Sequence, residues 1–156
     1  MGKFRIARRF EIDAGHRLSK HPELCRFPHG HTYRVEVVLC ADRLDDHDMV
    51  CDTKALKTVV GSELSHLDHA MLLAEGDPAV ESLAAFADRV VTFTEGDPTT
   101  EILAQHLFRR LRAVFCGGST VHSETGAAYV IPAGVLVERV RVWETGTTWA
   151  EFGEES

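Results

Sequence analysis

Near the start of the chain, His16, Cys25, His29 and His31 bring metal-ligating and nucleophilic side chains close together in sequence. His29 and His31 sit two residues apart within Cys25-Arg26-Phe27-Pro28-His29-Gly30-His31-Thr32-Tyr33. In a β-strand, residues i and i+2 point to the same face, about 6.6 Å apart, so two such imidazoles can converge on one ion. His16 arrives separately, in Ala14-Gly15-His16-Arg17-Leu18. Three protein nitrogens with one position left open is the arrangement of a catalytic zinc, whereas structural zinc sites are closed by four ligands. We therefore expect His16, His29 and His31 to hold one Zn2+. An HxH pair alone is weak ground, because such pairs also occur on strand surfaces. Cys25 reads two ways: as a fourth ligand or inert loop thiol, or as a thiolate activated by a nearby cation.

Two further spots carry acid–base chemistry. In Asp68-His69 a carboxylate lies beside an imidazole that it can orient and make more basic. Glu144 follows an apolar strand, where a carboxylate can accept paired N–H bonds from a guanidine-like ring edge. His21, His47, His66, His106 and His122 have no evident sequence partner and read as structural or solvent-facing.

The elements that position these residues follow from periodicity. Residues 4–13 alternate apolar and polar as a half-buried strand, with a fault at Ala7-Arg8. Residues 19–28 read as a loop broken by Pro22 and Pro28, and residues 31–41 as a second strand. Asp52 is placed to cap a helix whose Leu56, Val59, Val60, Leu64 and Leu67 recur at helical spacing and which ends near Asp68-His69. Between Val80 and Val91 the pattern suggests a short helix, then a strand-like Arg89–Phe93. Asp97-Pro98 predicts an N-cap followed by a first-turn proline. The helix after it shows Leu103, Leu107, Leu111 and Val114 on one face and closes at Cys116-Gly117-Gly118. Residues 119–134 read as a loop or short hairpin, and Leu136–Trp143 as the last clear strand. Strands with helices between them predict an α+β sandwich, helices on one face of an antiparallel sheet. Such a sheet has open edges, so oligomerisation through the sheet is expected.

At 156 residues the chain is expected to form one domain, 1–156. Its formal net charge of −7 argues against a nucleic-acid partner, which needs a basic footprint. No apolar run approaches the roughly 20 residues of a membrane span, and the basic start lacks an apolar segment behind it. The four cysteines, Cys25, Cys40, Cys51 and Cys116, form no CxxC pair; free thiols and a cytoplasmic location are expected.

Taken together, Ala14-Gly15-His16-Arg17-Leu18, Cys25-x-x-x-His29-Gly30-His31, Leu67-Asp68-His69, Pro98-Thr99-Thr100-Glu101 and Val142-Trp143-Glu144-Thr145 resemble the 6-pyruvoyl-tetrahydropterin and 6-carboxy-tetrahydropterin synthase family, in family order across most of the chain. The resemblance implies the tunnelling fold: an antiparallel four-stranded sheet with helices packed on one face, assembled into an oligomeric barrel. It implies a homohexamer of two stacked trimers, with active sites at subunit interfaces and a small-molecule pterin substrate. By position, His16, His29 and His31 would hold zinc, Cys25 would be the proton-abstracting base, and Asp68-His69 the relay. Glu144 would anchor the pterin's amino-pyrimidine edge, with Thr99 and Thr100 nearby. The four-residue step from Cys25 to His29 points to the branch that makes 6-carboxy-tetrahydropterin from 7,8-dihydroneopterin triphosphate, releasing acetaldehyde and triphosphate. The alternatives are the pyruvoyl branch, which only eliminates triphosphate, and a hydrolase using zinc-bound water. Arg17, Arg26 and Lys54 are the candidates for holding the triphosphate. The segments 70–98 and 116–134 are longer than in compact members of the family.

Overall fold

A computed structural model describes residues 2–154. The chain runs through β1 (Phe4–His16), a 3-10 turn (Leu24–Arg26), β2 (His29–Ala41), α1 (Thr53–Ser65), β3 (Met71–Ala74) and α2 (Pro78–Ser82). A second 3-10 turn (Ala84–Arg89) leads into β4 (Val90–Phe93), α3 (Thr100–Phe115), β5 (Ser119–His122), β6 (Ala128–Ile131), β7 (Leu136–Trp143) and β8 (Trp149–Gly153). β1 and β2 pair antiparallel over their full length, from Phe4 opposite Ala41 to His16 opposite His29. The fault at Ala7-Arg8 is one of residue type, not of register. Ala7 faces Val38 and Arg8 faces Val37 without a slip. Arg8 keeps its half-buried place and lays its guanidinium over Phe10 at 5.6 Å.

β1, β2, β7 and β8 form the expected antiparallel four-stranded unit. The sheet is nevertheless six-stranded and mixed, in the order β4-β3-β1-β2-β7-β8, which corrects the four-stranded expectation. β3 and β4 add to it as parallel strands of four residues each. β3 reaches β1 only through Gly15 and His16. Among the described residues, the outer edge of β1 from Phe4 to Ala14 therefore has no strand beside it, and neither has the outer edge of β8. β5 and β6 form the short hairpin anticipated for 119–134.

One sheet face carries the core. Ile12, Ala14, Tyr33, Val35, Val37, Leu39, Val140 and Val142 pack against the helices. α1 contributes Ala55, Leu56, Val59, Val60 and Leu64; α3 contributes Leu103, Ala104, Leu107, Phe108, Leu111 and Phe115. Each large apolar side chain buried this way is worth about 1.5–3 kcal/mol, so these faces, rather than helix propensity, hold the helices in place. Asp52 caps α1 as expected, accepting from Lys54 N. The cap of α3 is Thr99, whose hydroxyl accepts from Ile102 N at 3.3 Å, not Asp97. Asp97 is used instead to clamp the loop after β1, accepting from Ser19 Oγ at 2.7 Å and Lys20 N at 3.0 Å.

Candidate metal centre

The three histidines meet where β1 ends and β2 begins. His16 and His29 are directly opposite one another, and residues so paired share a face. His31 lies two residues further along β2 on that same face. Between them Gly15 faces Gly30. A Cβ on Gly15 would come within 2.9 Å of Met71 Sδ, so the missing side chain lets β3 close against the end of β1. The ring centroids stand 4.5 Å (His16–His29) and 5.0 Å (His16–His31 and His29–His31) apart.

The outer nitrogens of two rings fix the chemistry of the inner ones. His16 Nδ1 lies 2.9 Å from Pro98 O, and His29 Nδ1 2.7 Å from Phe27 O. A carbonyl oxygen can only accept, so both Nδ1 atoms carry the proton. In its neutral form each ring then presents a bare lone pair at Nε2. Those two Nε2 atoms face each other at 3.0 Å. Two acceptors at that distance repel unless a cation lies between them. Nitrogens bound at about 2.05 Å to a tetrahedral zinc are themselves about 3.3 Å apart. Backbone carbonyls orienting the far nitrogens are the usual support of histidine ligands.

Glu144 completes the group. Its Oε1 is 3.1 Å from His16 Nε2 and 2.9 Å from His31 Nε2. His31 Nε2 is buried and lacks a hydrogen-bond partner, and its contact with the carboxylate lies off the line a hydrogen bond requires. The ligand atoms of His16, His29, His31 and Glu144 all fall within 4.8 Å of one another, and these residues could hold a metal ion. Burial pushes the His31 pKa down, which keeps its nitrogen free to coordinate; Glu144 works against this, and His16 and His29 add to it. Glu144, expected to anchor a ring edge, has its carboxylate against His16 and His31.

The acid–base pair lies next door. Asp68 Oδ1 stands 3.1 Å from His69 Nδ1 and also accepts from Asp13 N at 2.9 Å. His69 holds a left-handed backbone, φ 56°, and its side chain is 75% exposed. His31 and His69 line one open cleft of about 570 Å³, together with Asp13, Gly15, Gly30 and Met71. One histidine of the cluster and His69 thus open onto a common space.

Other expected residues are not gathered there within the single chain. Cys25 lies half-buried in the 3-10 turn, its carbonyl accepting from Leu18 N, and stands outside the metal-ligand group. Thr99 is occupied as the α3 cap and lines a second cleft of about 390 Å³ with Lys20, His21 and Asp97; Thr100 is buried. Of the triphosphate candidates, Arg17 is paired with Asp77 at 3.3 Å and Arg26 donates to Pro22 O. His106 has a partner after all, with Nδ1 3.8 Å from Glu95 and its ring edge-on to Phe93. Sequence reasoning missed Arg89, which donates to Asp68 O at 3.2 Å and steadies the relay turn.

The α+β sheet thus carries, where its first two strands meet, a group of three histidines and a glutamate that could hold a metal ion. A family model described as 6-pyruvoyl tetrahydropterin synthase matches residues 5–155, and the chain belongs to that family. Among curated relatives, the 6-carboxy-5,6,7,8-tetrahydropterin synthase of Rickettsia bellii is 35% identical over 77 residues, 49% of this chain and 56% of that one. The chain thus spans about half the length of the Rickettsia relatives it matches. The enzyme of the same name from Aquifex aeolicus is 28% identical over 98% of this chain and 99% of its own. An uncharacterized protein of Wolinella succinogenes superposes with a TM-score of 0.77 at 23% identity, covering 99% of this chain and 100% of that one. The 6-pyruvoyl tetrahydropterin synthase of Caenorhabditis elegans gives a TM-score of 0.64 at 21% identity, covering 99% and 98%. These likenesses establish the fold. Among the described residues, no helix is long and apolar enough to cross a membrane.

Proposed function

We propose that this chain is a zinc-dependent 6-carboxy-5,6,7,8-tetrahydropterin synthase. It converts 7,8-dihydroneopterin triphosphate to 6-carboxy-tetrahydropterin with release of acetaldehyde and triphosphate. The observation that carries the proposal is the 3.0 Å approach of two imidazole lone pairs whose opposite nitrogens are tied to backbone carbonyls. Support for this branch comes from the name shared by the curated relatives and from the Cys25-to-His29 spacing.

His16, His29 and His31 would hold the metal, and their all-nitrogen donor set suits zinc. When bound, zinc supplies Lewis-acid polarisation of the substrate's vicinal hydroxyls. Cys25, in the turn leading into β2, takes the carbon-bound proton of the substrate side chain. His69 shuttles protons while Asp68 fixes its ring. Glu144 accepts two N–H bonds from the amino-pyrimidine edge when its carboxylate leaves the histidines, with Thr99 and Thr100 near the ring. We place the complete pocket between subunits of a homo-oligomer, a hexamer of two stacked trimers. The bare outer edges of β1 and β8 support this assembly, as does the scatter of Cys25, Thr99 and His69 over separate parts of one chain.

Incubation of the purified protein with 7,8-dihydroneopterin triphosphate tests the proposal. Acetaldehyde and 6-carboxy-tetrahydropterin are expected. Triphosphate release without aldehyde would move the protein to the pyruvoyl branch, and an intact pterin side chain would refute both.

A further inference from the structure

Tyr33 is fully buried, and its phenol oxygen has no hydrogen-bond partner. A buried hydroxyl left unpaired is costly, and native proteins keep such groups rarely. This one lies beside the metal group. Its ring meets His16 edge-on at 5.8 Å and His31 at 5.4 Å. The β2–β7 register pairs Arg34 with Trp143, so one step further along sets Tyr33 level with Glu144. Glu144 is thus the residue across from Tyr33 along the backbone, and burial, then the charge of Glu144, raises the phenol's pKa.

We propose that Tyr33 is a positioning residue of the metal centre: its O–H donates to the Glu144 carboxylate once a cation has taken the histidine lone pairs, and so fixes where that carboxylate stands. This rests on the metal-centre assignment made above. Glu144 Oε1 lies against the Nε2 atoms of His16 and His31. A cation at the three Nε2 atoms would keep the neighbouring carboxylate beside it as an anion, and a partly buried carboxylate oxygen needs a donor. Tyr33 is a donor with nothing else to serve. The phenol stays neutral throughout and acts only as a hydrogen-bond donor.

Phenylalanine fills the same volume and removes only the oxygen. The test measures Zn2+ affinity, by competition with a chromogenic chelator, for the parent, Tyr33→Phe, Glu144→Ala and the double variant. Melting of each metal-free protein is followed alongside. Tyr33→Phe should bind Zn2+ on the order of tenfold more weakly, the usual effect of losing a group that supports a ligand. Its metal-free form should melt at or above the parent's temperature, because no existing hydrogen bond is lost. In the Glu144→Ala background the same substitution should change nothing. Equal Zn2+ affinity in Tyr33→Phe and parent would overturn the role, as would a loss that persists without Glu144. A metal-free Tyr33→Phe protein that melts well below the parent would show that the hydroxyl already has a structural partner, and would overturn it too. A parent that takes up no Zn2+ would instead overturn the metal centre itself, and Tyr33's role with it.

Discussion

Asp68→Asn separates the two jobs of one oxygen. Asp68 Oδ1 accepts from the Asp13 backbone at 2.9 Å and faces His69 Nδ1 at 3.1 Å. Asparagine keeps a carbonyl oxygen for the Asp13 N–H but removes the charge that orients the His69 ring. Because the backbone tie survives, the loss of folding stability should stay below about 1 kcal/mol, the scale of one net hydrogen bond. In a chain of this size that is at most about 4 °C in Tm. The catalytic loss should be larger. Proton transfer by a positioned side chain contributes roughly 10²–10⁴-fold. His69 is 75% exposed, so water can screen and partly replace its partner, which favours the lower end of that range. A fall in kcat of about 100-fold is expected, equivalent to about 2.7 kcal/mol of barrier, with KM little changed. Steady-state release of triphosphate from 7,8-dihydroneopterin triphosphate is the assay, with Asp68→Ala as the control that also cuts the Asp13 tie and lowers Tm further. A parent-like kcat in Asp68→Asn would refute the relay.

Other outcomes follow from the same geometry. Cys25→Ala should keep its bound metal, since Cys25 lies outside the ligand group, yet lose turnover; full activity would end its assignment as the base. Glu144→Gln should weaken pterin binding measured by fluorescence titration, and unchanged affinity would favour a plain zinc hydrolase. Burial opposes ionisation of Asp97, but hydrogen bonds from Lys20 N and Ser19 outweigh it and hold the carboxyl below its ordinary 3.8. A group depressed on folding stabilises fully above its unfolded pKa and loses that contribution as pH falls through its folded value. Urea midpoints should therefore drop on acidification below about pH 4 in the parent and drop less in Asp97→Asn; parallel curves would contradict the clamp.

The first hairpin and its three histidines were legible because their signals are local. Alternation over Phe4–Ile12 and Tyr33–Leu39, and the HxH step, each lie within a few residues. β3 escaped because a four-residue parallel strand is too short to show a period, and Met71–Ala74 reads as a plain apolar run, whereas the strand-like Arg89–Phe93 did surface, as β4. The cap of α3 was misplaced because Asp97, Thr99 and Thr100 are all good capping residues within four positions. Only the distant loop at Ser19 and Lys20 decides between them, by claiming Asp97. Glu144 among the histidines had no local signal either. It reaches them through the β2–β7 register, a pairing between strands about a hundred residues apart.

The account turns on three Nε2 atoms from two strands sharing one ion. Diffraction from crystals of the zinc-loaded protein, recorded on both sides of the zinc absorption edge, tests this most directly. A single anomalous peak within bonding distance of Nε2 of His16, His29 and His31 is the predicted result. Zinc bound elsewhere, or the three rings turned apart with no peak between them, would contradict it.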